Sequence, residues 1–405
     1  MPWQELLPVN LRMRFVSEWQ TGCWSMTELC ADYGISRKTG YKWVDRYESS
    51  GPRGLHDRSR RPTHTPQATN PELVTQLVAL PTCHPTWGAR KLLKVARRRD
   101  PRAAWPARST VCDLLQARGL VRSRPRRSPR TQAAVTLAPV TGPNETWTTD
   151  FKGQFRTRDG VYCYPLTLRD GFSRYVLRCD ALTTTSYEAT RPSFERAFAE
   201  FGLPDRIRSD NGGPFASTGF AGLSRLSVWW MRLGIIPERT EPAHPEQNGS
   251  HEQFHHVLKA ETARPPAANA ASQQRRFTTF RTEYNHERPH EALADEVPAA
   301  YYRPSPRPLP RRMPLLEYPG HWEVRTVSPV GQISWGSADL FVSAALAGER
   351  IALEEVDDGL WTIHYAAVAL GRLNERERRI YPIAAFSAGR SASFAGSAPD
   401  CRKRQ

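Results

Sequence analysis

Apolar side chains recur at helical spacing along residues 9–48. Leu11, Phe15 and Trp19 stand at i, i+4 and i+8, which predicts a helix. Thr27 is placed to cap a short helix running to Tyr33, Gly34 to supply a turn, and Ser36 to cap a helix from Arg37 to about Tyr47. A short helix, a tight glycine turn and a second helix make a helix-turn-helix, assigned to 9–50. Ile35, Val44 and Tyr47 are read as core, and Cys30 as the small residue where two helices approach. Gly40, inside the last helix, costs about 1 kcal/mol of helix propensity. A second unit of this kind is read at 70–121. Pro71 opens a helix carrying Leu73, Leu77 and Leu80, Trp87–Leu93 leads into the next, and Val111, Leu114 and Leu115 mark a third, closed by Gly119.

From residue 145 the period shortens. Thr146–Phe151, Val161–Thr167, Arg174–Cys179, Arg206–Ser209 and Ile235–Glu238 read as strands. Ser186–Phe201, Phe220–Leu233 and His251–Thr262 read as helices. That order predicts an α/β core with a mixed sheet over 136–303. Five strand-like runs between His321 and Tyr365, with Asp358-Gly359 as a hairpin turn, predict a small β-barrel over 320–373. Pro/Arg-rich stretches at Gly51–Pro66, Arg122–Pro143 and Arg303–Pro319 read as linkers, and 376–405 as a disordered tail.

Charge sharpens this division. The chain has 405 residues and a formal charge of +16, and residues 1–135 alone hold 24 basic against 10 acidic residues. A local excess of this kind points to an N-terminal polyanion binder joined to a near-neutral module. No run approaches the apolar length of a membrane span, and Met1–Glu5 lacks the apolar stretch of a signal peptide. Seven scattered cysteines without a CxxC pair read as reduced, mostly buried thiols with no structural zinc site. In the two helical units Arg37, Lys38, Lys42 and Arg46, then Arg90, Lys91, Lys94 and Arg108, are the candidates to face a DNA groove or its phosphates.

Three carboxylates stand out in the α/β core. Asp150 ends Trp147-Thr148-Thr149-Asp150, Asp210 lies where a strand meets the turn Asn211-Gly212-Gly213-Pro214, and Glu252 falls in the first turn of a helix after Asn248-Gly249. Carboxylates at strand ends and a helix start can converge, and hard oxygen ligands suit Mg²⁺. A pair of such ions stabilises the attacking and leaving oxygens of an in-line phosphoryl transfer. A competing pattern overlaps the last carboxylate: His251-Glu252-Gln253-Phe254-His255 fits H-E-x-x-H, the zinc-protease helix. That reading leaves both aspartates and the Asn248-Gly249 turn without a role. The adjacent Trp229 and Trp230 read as core rather than as a base-stacking platform, and His244 and His290 as polar turn residues.

Several motifs together resemble one family. They are Trp-Thr-Thr-Asp, Ser-Asp-Asn-Gly-Gly-Pro-Phe, Leu-Ser-Arg-Leu-Ser-Val-Trp-Trp at 223–230, His-Pro-Glu-Gln-Asn-Gly-Ser-His-Glu, and Tyr284-Asn285-His286-Glu287-Arg288-Pro289-His290. The chain resembles bacterial insertion-sequence transposases with a retroviral-integrase-like DDE catalytic core, over about Leu11 to Leu373. The resemblance implies a ribonuclease H-like core with Asp150, Asp210 and Glu252 as catalytic and metal-holding residues, and two Mg²⁺ or Mn²⁺ ions. It further implies double-stranded DNA as partner, both element ends and target, a homo-oligomer in the synaptic complex, and a bacterial cytoplasmic, nucleoid-associated setting. The implied reaction is strand cleavage and strand transfer; the alternative is a catalytically silent, sequence-specific DNA-binding relative. Two departures appear. Forty-one residues separate Asp210 from Glu252, more than in many relatives, implying a short insertion near 216–228. Gln253 stands where the family usually has Arg.

Overall fold

The computed structural model describes residues 8–58, 68–121, 140–240 and 249–383. Two compact units divide the chain, residues 1–69 and 70–405.

In the first unit α1 (Pro8–Gln20), α2 (Met26–Asp32) and α3 (Arg37–Ser50) pack around Phe15, Leu29, Trp43 and Val44. The α2 cap is Ser25, not Thr27: the Ser25 hydroxyl accepts from the Glu28 amide, and the Glu28 carboxylate accepts from the Ser25 amide. Leu55, within the expected first linker, is fully buried in this core; residues 59–66 of that linker lie outside the described residues. Gly40 explains itself here. A Cβ at this position would meet Cys30 Sγ at 2.5 Å and Met26 Sδ at 2.8 Å. Gly40→Ala is therefore expected to destabilise this unit by about 1–3 kcal/mol, overpacking outweighing the propensity gain. Hydrogen exchange should show faster exchange of the α1–α3 amides alone.

The second unit begins with α4 (Pro71–Cys83), α5 (Ala89–Arg99) and α6 (Arg108–Ala117), closed around Leu77, Leu92, Val111 and Leu115. Then follow β1 (Thr146–Phe151), β2 (Phe155–Arg156), β3 (Tyr162–Asp170), β4 (Val176–Leu182), α7 (Tyr187–Phe201), β5 (Arg206–Ser209), α8 (Arg225–Arg232), β6 (Ile236–Arg239), α9 (Gly249–Thr262), α10 (Ala270–His286) and α11 (Pro298–Tyr301). The sheet is mixed. β3 pairs antiparallel with β1, β2 and β4, and β1, β5 and β6 run parallel. Strand alternation sorts the two faces. Trp147, Leu166, Leu168 and Ile207 pack with α7 and α8 around Phe194, Phe198 and Trp230. Cys163, Val176 and Cys179 pack with α9 and α10 through Phe254, Leu258, Phe277 and Phe280. Trp229 and Trp230 are buried core residues.

The last part holds β7 (Glu323–Thr326), β8 (Gln332–Trp335), β9 (Ala338–Phe341), β10 (Arg350–Asp357), β11 (Leu360–Tyr365), β12 (Val368–Asn374) and β13 (Arg379–Pro382). The expected barrel does not form. The sheet is open, in the order β13-β12-β11-β10-β7, and β8 pairs only with β9 as a separate two-stranded sheet. The tail expected from 376 likewise yields a strand, since β13 pairs with β12; residues 384–405 lie outside the described residues. The Pro/Arg stretch at 303–319 is a strap on the core rather than a free linker. Ser305 N donates to Phe201 O, Leu203 N donates to Arg307 O, and the Arg307 guanidinium reaches the carbonyls of Pro204, Leu233 and Gly234.

Residues 216–228, where an insertion was expected, form a loop with a 3-10 turn at Phe220–Gly222 and then the start of α8. Phe220, Leu223, Val228 and Met231 pack into the core of the C-terminal sheet with Ile351, Ile363 and Leu373. Among the described residues no helix is long and apolar enough to cross a membrane. Cys23, Cys83 and Cys112 are exposed, so the expected burial of thiols holds for Cys30, Cys163 and Cys179.

Candidate active site

β1 carries the first carboxylate, and the turn that follows β5 carries the second. Their parallel register pairs Thr146 with Arg206 and Thr148 with Arg208, and two residues further on stand Asp150 and Asp210. The turn after Asp210 holds its carboxylate: the Gly212 amide donates to Oδ1 at 3.2 Å, and a Cβ on Gly212 would stand 3.0 Å from Oδ2. Asn211 Nδ2 donates to the Thr240 carbonyl, fixing the turn against the end of β6.

Asp150 is only 16% exposed. Burial, reinforced by the negative charges of Asp210 and Glu252, pushes its pKa up to about 7, against the opposing Phe151 amide and Lys152 charge. Burial also raises the pKa of Asp210. Glu252 lies on the exposed face of α9, in its first turn. Asp150 on β1 thus feels the charges of Asp210, just past β5, and of Glu252, at the start of α9. Among the described residues no three carboxylate, imidazole or thiol groups already enclose a single point. The segment 241–248, with His244 and the Asn248 turn expected to lead into Glu252, lies outside the described residues.

One face of the sheet anchors α9. Asp150 pairs with Thr167 across β1 and β3, and Thr148 pairs with Arg169. The Thr167 hydroxyl donates to the Asp150 carbonyl at 3.0 Å and receives Nε2 of both His251 and His255, at 2.7 and 2.8 Å. His251 Nδ1 meets the Thr148 hydroxyl at 3.1 Å. The Arg169 guanidinium, buried over the Phe254 ring, donates to the Ser250 carbonyl at 2.9 Å. These contacts fix the helix that carries Glu252.

They also decide between the two readings of H-E-x-x-H. The point on which both Nε2 atoms converge is filled by the Thr167 hydroxyl, where a protease would hold zinc. Burial drives both imidazoles to the neutral form, His255 to about pKa 3, helped by the positive charges of Lys152 and Arg169. With Nε2–H given to Thr167, His255 Nδ1 turns its lone pair toward Asp150 Oδ2, 3.6 Å away.

Of the candidate DNA-facing side chains, Arg37, Lys38 and Lys42 are exposed on α3, and Arg46 lies over the Trp43 ring. Arg108 is exposed at the start of α6. Arg90 and Lys94 are placed differently. Arg90 pairs with Glu291 and Asp295, and Lys94 with Glu296. Lys91 lies close enough to His290 for its charge to act there. Thr148, Lys152, Thr167 and Arg169 escaped the sequence reading. Only the strand register, which is not local in sequence, brings Thr167 opposite Asp150.

Comparison with known proteins adds the following. An integrase core domain family matches residues 140–245, and a further integrase core domain family matches 233–298. A helix-turn-helix domain family matches 11–63, and a homeodomain-like domain family matches 39–115. The insertion element IS476 uncharacterized 39.2 kDa protein of Xanthomonas euvesicatoria is 25% identical over 250 residues, covering 61% of this chain and 69% of that protein. The simian T-cell lymphotropic virus intasome, solved in complex with PP2A regulatory subunit B56 gamma, is similar with a TM-score of 0.35 and 17% identity, over 72% of this chain and 97% of its own. The HTLV-2 integrase catalytic core domain in complex with magnesium is similar with a TM-score of 0.30 and 15% identity, over 40% of this chain and 98% of its own.

Proposed function

We propose that this chain, built on an integrase core domain with helix-turn-helix domains before it and homologous to an insertion-element protein, is an insertion-sequence transposase that cleaves DNA at element ends and joins them to target DNA. The observation that supports the proposal most is the carboxyl of Asp150, held within reach of the charges of Asp210 and Glu252, its pKa raised by burial first and then by those charges. Two partly buried carboxyls with a third, exposed carboxylate near enough to act on one of them call for a cation, and an all-oxygen donor set suits Mg²⁺ or Mn²⁺. Asp150, Asp210 and Glu252 would hold two such ions, which supply charge neutralisation to the attacking and leaving oxygens of an in-line phosphoryl transfer.

The chain's own residues do the rest. Thr167, held between Asp150 and two imidazoles, fixes the strand and helix that present the carboxylates, so that positioning does not depend on the substrate. Lys152, close enough to Asp150 for its charge to act on it, supplies a cation for the bound phosphodiester. No covalent enzyme intermediate is required. A water attacks the phosphodiester at the element end, leaving a 5′-phosphate on the flanking DNA and expelling the element's 3′-OH; that hydroxyl then attacks a target phosphodiester and expels a 3′-OH of the target strand. Element ends and target DNA are the partners, and a homo-oligomer would bring two ends together.

The test is direct. Purified protein, incubated with the genomic DNA flanking its element and Mg²⁺, should nick at the element boundary; uncut DNA under these conditions would sink the proposal. A further expected result concerns α9. His255→Ala should keep most Mg²⁺-dependent cleavage, while Glu252→Gln should lose it. Elemental analysis should find little zinc. Stoichiometric zinc that disappears, together with activity, in His255→Ala would return this helix to the protease reading.

A further inference from the structure

The turn that holds Asp210 is gripped from inside the catalytic core. The Gly212 amide donates to the Asp210 carboxylate, and the Gly212 carbonyl accepts the amides of Phe215 and Ala216 at 3.0 and 3.2 Å. Phe215 is buried, with its ring 5.6 Å from that of Phe151, the neighbour of Asp150. Its carbonyl accepts the Ser224 hydroxyl at 2.9 Å. From Ala216 the chain closes a loop on Leu223. The Ser217 amide donates to the Gly222 carbonyl at 3.0 Å, and the Ser217 hydroxyl donates to the Leu223 carbonyl at 2.6 Å. The Arg239 guanidinium, at the end of β6, also donates to the Gly222 carbonyl, and the next residue, Thr240, receives Asn211. The end of β6 thus holds both the start of the turn and the close of the loop.

The tip of this loop lies in the other core. Phe220 packs with the buried residues of the C-terminal sheet, over Gly371 of β12. A Cβ on Gly371 would stand 2.5 Å from Phe220 Cζ and 2.7 Å from the Tyr381 carbonyl, so the seat for the ring exists only because residue 371 is glycine. Ala221, next to the ring, takes left-handed backbone at φ 50°. An alanine stays in that conformation only where its surroundings fix it. Here the fixing contacts come from Arg239 on one side and the C-terminal sheet on the other.

We infer that Phe220 is a positioning residue for Asp210, and that the C-terminal sheet, by seating its ring, sets the turn in which that carboxylate is held. The C-terminal sheet then acts on the cleavage step through the polypeptide itself. A carboxylate displaced by about 1 Å loses on the order of 10²-fold in rate. The inference rests on the proposed role of Asp210.

The test compares full-length Phe220→Ala with wild type by hydrogen exchange and by single-turnover cleavage. Loss of the ring should speed exchange of the Gly212, Phe215 and Ala216 amides by about tenfold or more, with the amides of β3 and α7 unchanged. The cleavage rate at saturating DNA should fall on the order of 10²-fold, while affinity for element-end DNA stays within about twofold. Phe220→Leu refills the seat and should restore most of the rate and the slow exchange. Ser217 is exposed, and Ser217→Ala removes the bridge to Leu223. This variant should move both readouts in the same direction, and it decides the matter if Phe220→Ala unfolds the C-terminal sheet. Wild-type exchange at 212–216 in these variants, or faster exchange with an unchanged cleavage rate, would overturn the inference. Wild-type protein that cuts no DNA, with the exchange result as expected, would sink the transposase proposal and leave the coupling of turn and sheet standing.

Discussion

Asp150→Asn, Asp210→Asn and Glu252→Gln are each expected to lower strand cleavage on the order of 10³-fold or more while leaving end binding intact. The amide keeps the size of the side chain and removes the charge that would hold a divalent ion. Each carboxylate comes from a different element: β1, the turn after β5, and the first turn of α9. None can stand in for another, so the losses should be comparable rather than graded. The helix-turn-helix units contain none of these residues, so gel-shift affinity for the element end should be unchanged. A variant that nicks DNA at the wild-type rate would remove its residue from the site.

The second large effect runs the other way. In metal-free protein Asp150→Asn should raise stability at pH 8. The sign follows from the raised pKa. A carboxyl with an acidity near pKa 7 in the fold and the ordinary value when unfolded binds its proton more tightly when folded. Stability is therefore lost as pH rises from about 4, and the loss levels off above about 7. The full penalty is on the order of 4 kcal/mol, and the neutral amide removes it. The expected readout is a melting temperature for Asp150→Asn several degrees above wild type at pH 8, converging with it toward pH 4. Adding Mg²⁺ should raise the wild-type melting temperature and leave the variant's unchanged. A variant less stable than wild type at pH 8 would mean that this carboxyl is not strained by burial and its charged neighbours.

What could be read ahead of the structure follows from how local each signal is. Asp210 and Glu252 could be picked out because each adjoins a short run of turn residues, and Asp150 because it stands in the short strand motif Trp147-Thr148-Thr149-Asp150. Thr146–Phe151 could be bounded because both of its ends are marked within a few residues. Helix α10 escaped notice because its interior is Gln, Arg and Thr, with only Phe277, Phe280 and Tyr284 buried among its large apolar side chains. The predicted Phe220–Leu233 helix shortened to α8 because Ala221 takes left-handed backbone and Ser224 caps the helix start. The barrel failed on pairing. Strand existence is a local property, but closure is not, and two further strands, β12 and β13, extend an open sheet. The docking of α5 was invisible for the same reason. A basic stripe on a helix looks alike whether its counter-charges are phosphates or the carboxylates of Glu291, Asp295 and Glu296.

Helix α8 serves two hydrophobic cores at once. Leu226, Trp229 and Trp230 belong to the catalytic sheet, whereas Val228 and Met231 belong to the C-terminal sheet, beside Leu223. During synthesis this helix leaves the ribosome well before β10, β11 and β12 exist to cover its second face. Until those strands arrive, the nascent catalytic core carries an uncovered apolar strip and is prone to stick to neighbouring chains. Folding of the catalytic part is thus tied to completion of the polypeptide. A frameshift or premature stop after residue 300 is expected to yield an aggregation-prone fragment rather than a free α/β core.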